Sequence, residues 1–288
     1  MHHKAAAAAL QFYLDNGVDT VLQDKPVDRT KLLKTVETPA VPNAQKAENP
    51  QKPQKSAVMQ AAAASPAPLL GKSDARNEAV KLAQSAKSLD DLREAIANFD
   101  GIAIKKTATN LVFCDGNPKS PIMLVGEAPG ADEDRQGKPF VGVSGQLLDK
   151  IFACIDLDRA QEDSAQSVYI SNILNWRPPG NRTPNPAEIE VSLPFIERHI
   201  QLIQPKLLIF CGGVAAKSLL GSGDSISRLR KNWHDYMPQT PELAEGASPI
   251  PAIATYHPAY LLRTPAQKKA VWADMLSVQQ KRKDLGLI

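Results

Sequence analysis

The sequence predicts an α/β fold, a three-layer sandwich around a mostly parallel central β-sheet. Its apolar runs are PIMLVG (121–126), SVYISN (167–172), KLLIFCG (206–212) and PAIATYH (251–257). Stretches with helical patterns lie between and after them, near 144–157, 186–203, 213–220 and 265–283. Alternation of this kind is typical of a parallel sheet with helices packed on its faces.

The N-terminal third of the chain has a different composition. Residues 4–22 combine helix formers with an apolar pattern, so 1–33 is predicted to be a short N-terminal helical element. Segment 34–70 is rich in Pro, Ala, Lys and Gln, and it has too few apolar side chains to offset chain entropy, which predicts a disordered linker. The α/β domain is assigned to 71–288, with a capping-box pattern near its start in SLDDLREAIANF.

Composition limits the class of protein further. The formal net charge of +3 is compatible with a polyanionic partner without requiring one. No run of about 18 apolar residues is present and the N-terminus lacks a signal-peptide pattern, so we expect a soluble cytoplasmic protein. Cys114, Cys154 and Cys211 include no CxxC pair, and their odd number argues against a disulfide framework.

Unusual residues stand where the predicted strands end. Gly126 and Glu127 follow the first apolar run, Asn172 ends the second and His257 ends the last. Ligands of parallel sheets bind beyond the carboxyl ends of the strands. If the strands are parallel, these side chains emerge at one edge of the sheet and face one crevice.

The stretch GEAPGADEDRQGKPF (126–140) combines glycines with four acidic residues. Glycines after a strand can bind phosphate through backbone N–H groups, but no GxxxxGK[ST] motif is present and the carboxylates would repel an anion. A magnesium site on Asp132, Glu133 and Asp134 is a further alternative. Adjacent acidic residues in a loop more often form a solvated face, so no metal site is assigned.

A pocket for a planar, neutral ring fits the residues better. Phe140 offers an aromatic face, and the glycines near it let the backbone approach a ligand closely. Asn172 carries both a donor and an acceptor, which suits the pairing edge of a pyrimidine. His257 can donate to a carbonyl oxygen that gains negative charge. Taken singly, these residues are more readily explained as a core ring, a turn residue and a loop histidine, and their joint placement at strand ends favours the pocket.

Three blocks carry a resemblance to a known family. VGEAPGADEDRQGKPFVGVSGQLLDKI, YISNILNWRPPGNRTPNPAEIE and ATYHPAYLLR resemble, in order and register, the signature blocks of the family 4 uracil-DNA glycosylases. These proteins belong to the uracil-DNA glycosylase superfamily. The resemblance covers roughly 95–283 and leaves the N-terminal third unmatched.

The resemblance implies roles for the pocket residues. Uracil would be bound by Gly126, Glu127, Ala128, Phe140, Asn172 and His257. In this arrangement Phe140 stacks on the flipped base, Asn172 reads its pairing edge and His257 bonds its O2 atom.

The resemblance leaves the catalytic carboxylate open. Ala128 occupies the position of a catalytic aspartate in another branch of the superfamily, so water positioning falls on Glu127 or Glu133. A carboxylate beneath the sugar also stabilises an oxocarbenium-like transition state. Glu127, Glu133 and His257 are therefore the candidate catalytic residues.

DNA contacts are implied around the pocket. Leu261 and Leu262 would form a wedge that replaces the extruded base, and Arg263 would contact a phosphate. The other predicted contacts are Ser144, Arg177 and Arg182, with Lys268 and Lys269 extending a basic rim.

The sequence departs from the family at the iron–sulfur cluster. Family 4 members hold a four-iron cluster with four cysteines, and alignment of the blocks places Phe99, Ile102, Trp176 and Ser192 at those positions. None of the four can supply a thiolate. We therefore expect no cofactor and an apolar core in place of the cluster.

The residues and the resemblance together predict a monomeric DNA-repair enzyme. It would flip uracil out of single- or double-stranded DNA and hydrolyse the N-glycosidic bond without a metal or redox cofactor. Two other hypotheses remain open: a catalytically weak protein that binds uracil-containing DNA, and a hydrolase of free nucleotides.

Overall fold

The computed structural model describes residues 72–288, which form a six-stranded sheet with helices on both faces. The predicted N-terminal helical element (1–33) and linker (34–70) lie outside the described residues. In the described part, strands and helices alternate along the chain in the order expected from the sequence, so the predicted α/β fold class is confirmed.

Four strands match the predicted apolar runs, and two short edge strands complete the sheet. They are β1 (Asp115–Gly116), β2 (Ile122–Gly126), β3 (Tyr169–Asn172), β4 (Leu207–Cys211), β5 (Trp233–Tyr236) and β6 (Ile250–Thr255). The sequence did not predict β1 or β5, because one has only two residues and the other, WHDY, lacks an apolar run.

Residues 72–288 contain ten α-helices, most of them between strands. The first five are α1 (Lys72–Ser85), α2 (Leu89–Asn98), α3 (Ala131–Gln136), α4 (Val143–Ala153) and α5 (Pro186–Ile203). The rest are α6 (Gly213–Leu220), α7 (Ile226–Leu229), α8 (Pro241–Ala244), α9 (Pro258–Arg263) and α10 (Lys268–Asp284). Short 3-10 turns occupy Ala103–Thr107, Ser164–Gln166, Pro179–Asn181 and Pro265–Gln267.

Strand order explains why the predicted site residues meet. The sheet runs β1-β3-β2-β4-β6-β5, and its four central strands are parallel, whereas the two edge strands pair antiparallel. In the register of β2 and β3, Gly126 lies beside Asn172. Cys211 similarly pairs with Thr255 at the end of β6. All four parallel strands therefore deliver their carboxyl ends to one edge.

Alternating strand residues face two separate apolar cores. Met123 and Phe210 point to the side that contains residues of α1, α2, α5 and α6. Leu124 and Ile209 point to the side covered by α4 and α10. The central strands are buried on both faces, as expected for parallel strands between two helical layers.

Capping boxes define the start of two helices. Ser88 Oγ accepts the Asp91 N–H at 3.1 Å, and the Asp91 carboxylate accepts the Ser88 N–H at 3.0 Å, which confirms the motif predicted before α2. Asn185 and Glu188 form the same reciprocal pair at 2.9 and 2.8 Å before α5. Each box satisfies backbone N–H groups that a helix terminus leaves unpaired.

Two further properties follow from the described residues. No described helix is long and apolar enough to cross a membrane. The three cysteines are free thiols, with Cys211 buried, Cys114 partly exposed and Cys154 exposed.

Candidate functional site

A cavity of about 360 Å3 opens at the carboxyl edge of the sheet. Among its lining residues are Glu127, Phe140, Ser144, Arg182, His257 and Arg263. These residues lie on loops that follow β2 and β6, at the start of α4, in the loop before α5 and at the end of α9. The structure thus brings together most of the residues that the sequence singled out, although Gly126 and Asn172 are not among the residues that line the cavity.

Asn172 is buried at this edge, and its amide oxygen lacks a partner. The residue is 2% exposed, and no group in the described part of the chain donates to Oδ1. A buried acceptor left unpaired costs about 1–3 kcal/mol. A ligand with a donor at this point would remove that cost.

Gly126 is required by its neighbours. A β-carbon on Gly126 would lie 2.3 Å from Asn172 Oδ1 and 2.6 Å from Cζ of Phe140. Any side chain here would displace both groups, because real contacts of a β-carbon are much longer. The absence of a side chain therefore lets an amide and an aromatic ring approach the same backbone atom.

Phe140 adopts a conformation that its surroundings enforce. Its φ of +54° lies in the left-handed region, which a bulky side chain rarely occupies. Gly145 makes this possible, since a β-carbon there would lie 1.9 Å from the Phe140 carbonyl oxygen. The Phe140 ring is stacked near His257, with centroids 5.3 Å apart and planes inclined by 28°.

The acidic residues after β2 have separate roles, and three of them lie on the short helix α3, where Glu133 and Asp134 are buried and do not form the solvated loop expected from the sequence. Glu133 is 8% exposed, and its carboxylate accepts backbone N–H groups from Gly130, Val141 and Gly142 at 3.1, 2.9 and 2.9 Å. These bonds tie the loop after β2 to the segment that follows Phe140. Glu133 therefore supports the aromatic ring through the backbone.

The two acidic neighbours of Glu133 also have partners within the protein. Asp134 accepts the N–H groups of Thr109 and Asn110 at 2.8 and 3.0 Å, and Asp132 pairs with Arg135 at 2.6 Å. No cluster of three metal-ligating side chains occurs within 72–288. The magnesium alternative therefore has no support in the arrangement of these carboxylates.

Glu127 differs from the other acidic residues of the loop. Its carboxylate lines the cavity, and its neighbours in the described chain form neither an ion pair nor a hydrogen bond with it. Desolvation raises the pKa of this carboxyl. A desolvated, unpaired carboxylate in a cleft is a frequent feature of functional sites.

His257 is held as a hydrogen-bond donor. Its Nδ1 accepts the Ala259 N–H at 3.2 Å, which caps α9 and leaves the proton of the neutral ring on Nε2. Desolvation lowers the pKa of His257 to about 4, and the nearby Glu133 carboxylate only partly opposes that shift. The ring is therefore neutral at pH 7.

The rim is less uniformly basic than the sequence suggested, because Lys268 and Lys269 border a separate surface groove and not this cavity. Arg182 is bound by both carboxylate oxygens of Glu188, at 2.9 and 2.6 Å, so much of its charge is already balanced. Arg177 donates to Asn181 at 2.7 Å. Arg263 is exposed, and no ion pair within the described residues involves it.

The structure corrects the predicted DNA wedge at Leu261. It is fully buried in the apolar cluster beneath α9, whereas Leu262 is 44% exposed. Successive residues of a helix point about 100° apart, so one side chain of this pair faces the core and the next faces solvent. Of the two leucines, only Leu262 is available to contact DNA in this structure.

Several residues of the site were missed by sequence reasoning. Tyr260, Pro178 and Thr183 also line the cavity. Gly145 and Glu188 support it from outside, as described above. Two of these residues could have been found from the sequence. The spacing of Asn185 and Glu188 is that of a capping box, and Gly145 is a glycine inside a helical pattern, which indicates a close approach of two backbone segments.

These features define a class of protein: an α/β protein with a small-molecule-sized cavity at the carboxyl edge of its parallel strands. The family model of the uracil DNA glycosylase superfamily matches residues 113–276, and the chain belongs to that superfamily.

The chain is similar to several proteins named type-4 uracil-DNA glycosylase. The protein of Archaeoglobus fulgidus is 35% identical over 196 residues, covering 67% of this chain and 92% of its own length. The protein of Pyrobaculum aerophilum is 35% identical over 187 residues, covering 65% of this chain and 91% of its own. The protein of Thermotoga maritima is 36% identical over 156 residues, covering 54% and 73%.

The four positions that the resemblance assigns to cluster cysteines are buried, and three of them belong to an apolar core. Phe99, Ile102, Trp176 and Ser192 are 3%, 6%, 9% and 6% exposed. The Phe99 ring packs edge-on against Phe195 at 5.3 Å between centroids. A β-carbon on Gly101 would lie 2.3 Å from the Phe99 ring, so that ring fills the space above the glycine. Without thiolates, these residues do not fit an iron–sulfur cluster.

We predict that the ring of His257 titrates near pH 4 and carries its proton on Nε2 at pH 7. Because the folded pKa lies below the ordinary histidine value of 6.5, the neutral ring contributes stability above pH 6.5, and this contribution is lost as the pH falls towards 4. Histidine-labelled protein followed by 15N NMR measures both properties, and His257→Gln assigns the signal. A midpoint at 6.5 or higher, or a proton on Nδ1, contradicts the geometry.

Proposed function

We propose that this protein is a uracil-DNA glycosylase of base excision repair. It extrudes uracil from DNA into the cavity and hydrolyses the N-glycosidic bond, which leaves an abasic site. The buried, unpaired amide oxygen of Asn172 beside the Phe140 ring is the observation that carries this proposal. Membership of the superfamily supports the same reaction.

Base recognition follows from the donors and acceptors of the pocket. Asn172 Oδ1 accepts the N3–H of uracil, and its amide nitrogen donates to O4. Cytosine has an acceptor at N3 and a donor at position 4, so the same amide orientation rejects it. Phe140 contributes a stacking surface, and the missing side chain of Gly126 lets the ring and the amide lie against the same backbone position.

The leaving base is stabilised from its other side. As the glycosidic bond lengthens, negative charge develops on the uracil ring, including O2. The Nε2–H of His257 donates to that oxygen, and its neutral ring keeps this donor at physiological pH. A donor aimed at developing charge in a partly dry pocket stabilises the transition state more than the ground state.

Glu127 is assigned the carboxylate role, and Glu133 a positioning role. The sugar becomes oxocarbenium-like, so a carboxylate near it lowers the barrier and orients the attacking water. Glu127 has no protein partner in the described chain and is free to do this. Glu133 already accepts three backbone N–H groups, which leaves little capacity for water.

DNA contacts surround the cavity mouth. Leu262 is the exposed apolar side chain placed to fill the gap left by the extruded base, and Arg263 is the adjacent cation for a phosphate. Ser144 and Arg177 contact the backbone further along the rim. Arg182 holds the loop before α5 through Glu188 and contributes less charge to DNA.

We predict that Asn172→Ala and His257→Ala each slow uracil release by roughly 10²–10³, since each removes a group that stabilises the transition state. Affinity for uracil-containing DNA should change less than the rate. Single-turnover cleavage, measured as alkali-labile sites in single- and double-stranded oligonucleotides, is compared with binding by fluorescence anisotropy. Oligonucleotides with thymine in place of uracil are the control.

Two results would contradict the proposal. Mutants that cut at the parent rate exclude the pocket assignment. Parent protein that binds uracil-containing DNA but releases no base identifies a binding protein instead, and release from free deoxyuridine nucleotides alone identifies a nucleotide hydrolase.

We predict opposite signatures for the two glutamates. Glu127→Gln should slow single-turnover cleavage about 100-fold and leave Tm unchanged, because no protein hydrogen bond is lost. Glu133→Gln should lower Tm and weaken binding of uracil-containing DNA, because its amide NH2 opposes a backbone N–H and loosens the Phe140 segment. Thermal unfolding and the cleavage assay on both variants decide the assignment. The reverse pattern would make Glu133 the catalytic carboxylate.

We further propose that the enzyme works without an iron–sulfur cluster, as a divergent member of its family. The apolar side chains of Phe99, Ile102 and Trp176 join the segment after α2 to the loop after β3 and to α5, which is the cross-link that a cluster would otherwise supply. Trp176 also lies 6.0 Å from Lys105 Nζ, and this cation–π contact holds the 3-10 turn of that segment.

We predict that protein purified without oxygen is colourless, lacks stoichiometric iron and still releases uracil. Phe99→Ala should reduce the free energy of unfolding by roughly 3–5 kcal/mol, the cost of emptying a buried aromatic site. Iron assay, absorption spectra and urea unfolding measure these properties. Brown protein whose activity falls when iron is removed would refute the proposal.

The domain division is also a proposal. Residues 71–288 would form the monomeric catalytic domain, with 1–33 as a helical element and 34–70 as a disordered linker in a cytoplasmic protein. We predict that deletion of 1–70 leaves single-turnover uracil release within about threefold of the full chain, since every cavity residue lies beyond residue 126. Loss of soluble, active protein on truncation would make the N-terminal segment part of the fold.

A further inference from the structure

We propose that a groove between α4 and α10 is a docking site for an acidic peptide segment of a partner protein that inserts apolar side chains. The groove has a volume of about 520 Å3. It lies on the face of the sheet opposite to the apolar core that contains Phe99 and Trp176. Nothing in the proposed glycosylase reaction uses it.

The walls and floor of the groove are almost entirely apolar. Leu147 and Ile151 of α4 form one wall, and Val271 and Met275 of α10 form the other. Leu261 lies between them. Side chains of this kind favour the apolar side chains of a ligand and offer no partner to a polar one.

Trp272 marks the groove as an interaction surface. Its indole lines the groove and is 46% exposed. Large aromatic side chains are enriched in binding hot spots, because they bury much area at low entropic cost. An exposed apolar groove of this form is a recognised sign of a binding surface.

The charge of the rim selects the partner. Lys150, Lys268 and Lys269 border the groove, no acidic side chain lines it, and no ion pair within the described residues involves these lysines. Carboxylates placed beside the apolar anchors would meet three cations. Charge complementarity of this kind steers association and fixes the register of the bound segment.

The other candidate occupants match the groove less well. Nucleobases carry polar edges, and an aliphatic floor would leave those edges unpaired when the base is buried. A second copy docked symmetrically would place its own lysines against the same three lysines, because a two-fold interface pairs one patch with itself. An acidic, apolar peptide avoids both penalties.

The groove lies next to the residues that are proposed to contact DNA. Leu261 in the groove is followed along α9 by Leu262 and Arg263, which the proposed function places at the DNA. A partner held in the groove would therefore sit next to the DNA contact. This consequence rests on the proposed function, whereas the binding itself does not.

The test begins with an unbiased selection. A displayed library of random 12-residue peptides is selected on the full-length protein and counter-selected on the full-length Trp272→Ala variant. We expect enriched peptides with net negative charge and at least two large apolar residues. Enrichment of neutral or basic peptides, or no enrichment, overturns the proposal.

Site-directed measurements then locate the binding. Trp272→Ala should weaken the best peptide at least tenfold by fluorescence anisotropy. Leu276→Ala is the matched control, because this leucine is 44% exposed on the same helix but does not line the groove. Equal weakening by both variants, or by neither, overturns the assignment. Uracil release by Trp272→Ala is measured in parallel and should stay within twofold, which separates this test from that of the proposed reaction.

Cys154 provides an independent readout because it lines the groove and is exposed. In a Cys114→Ser background only buried Cys211 remains besides it, so reaction with a thiol reagent reports on the groove. Saturating peptide should slow this reaction at least fivefold. Protection of Cys154 by uracil-free single-stranded DNA, or a dimer in sedimentation that Trp272→Ala dissociates, would identify another occupant and overturn the proposal.

Discussion

The parallel pairing of β2 with β3 is the constraint on which the site depends. It places Gly126 beside Asn172, and the pairing continues past the strand ends, where Ile173 and Leu174 donate to the carbonyls of Gly126 and Glu127 at 3.0 and 3.1 Å. The backbone of Gly126 and Glu127 is therefore held to the segment after β3 by hydrogen bonds. Because Gly126 lacks a side chain, the Asn172 amide and the Phe140 ring can both pack against this rigid edge.

The four acidic residues after β2 differ in what they bind. Three of its four carboxylates bind backbone N–H groups or an arginine, and these contacts stabilise their charges where they lie. The fourth, Glu127, is desolvated and has no such partner in the described chain, so its pKa rises. A carboxylate stabilised by the protein supports structure, while one that the protein leaves unpaired is available for chemistry.

The two faces of the sheet differ in how completely their helices cover it. On one face the segment around Phe99 packs between α2 and α5, and the aromatic contact with Phe195 closes the core. On the other face a groove with apolar walls lies between α4 and α10, and Lys150, Lys268 and Lys269 border it. The first face stabilises the fold by burial, and the second retains an apolar surface that another molecule can cover.

The sequence by itself determined the fold class, the order of the central strands and helices, and most of the residues at the cavity. Apolar runs, capping boxes and residues at strand ends are local patterns. They can be recognised in the sequence without knowing which elements pack together. Only the tertiary structure decided that Leu261 is buried while Leu262 is exposed, that Arg182 is paired with Glu188, and that Glu133 braces the loop. Each of these outcomes depends on which distant groups a side chain meets, and spacing along the chain does not encode that.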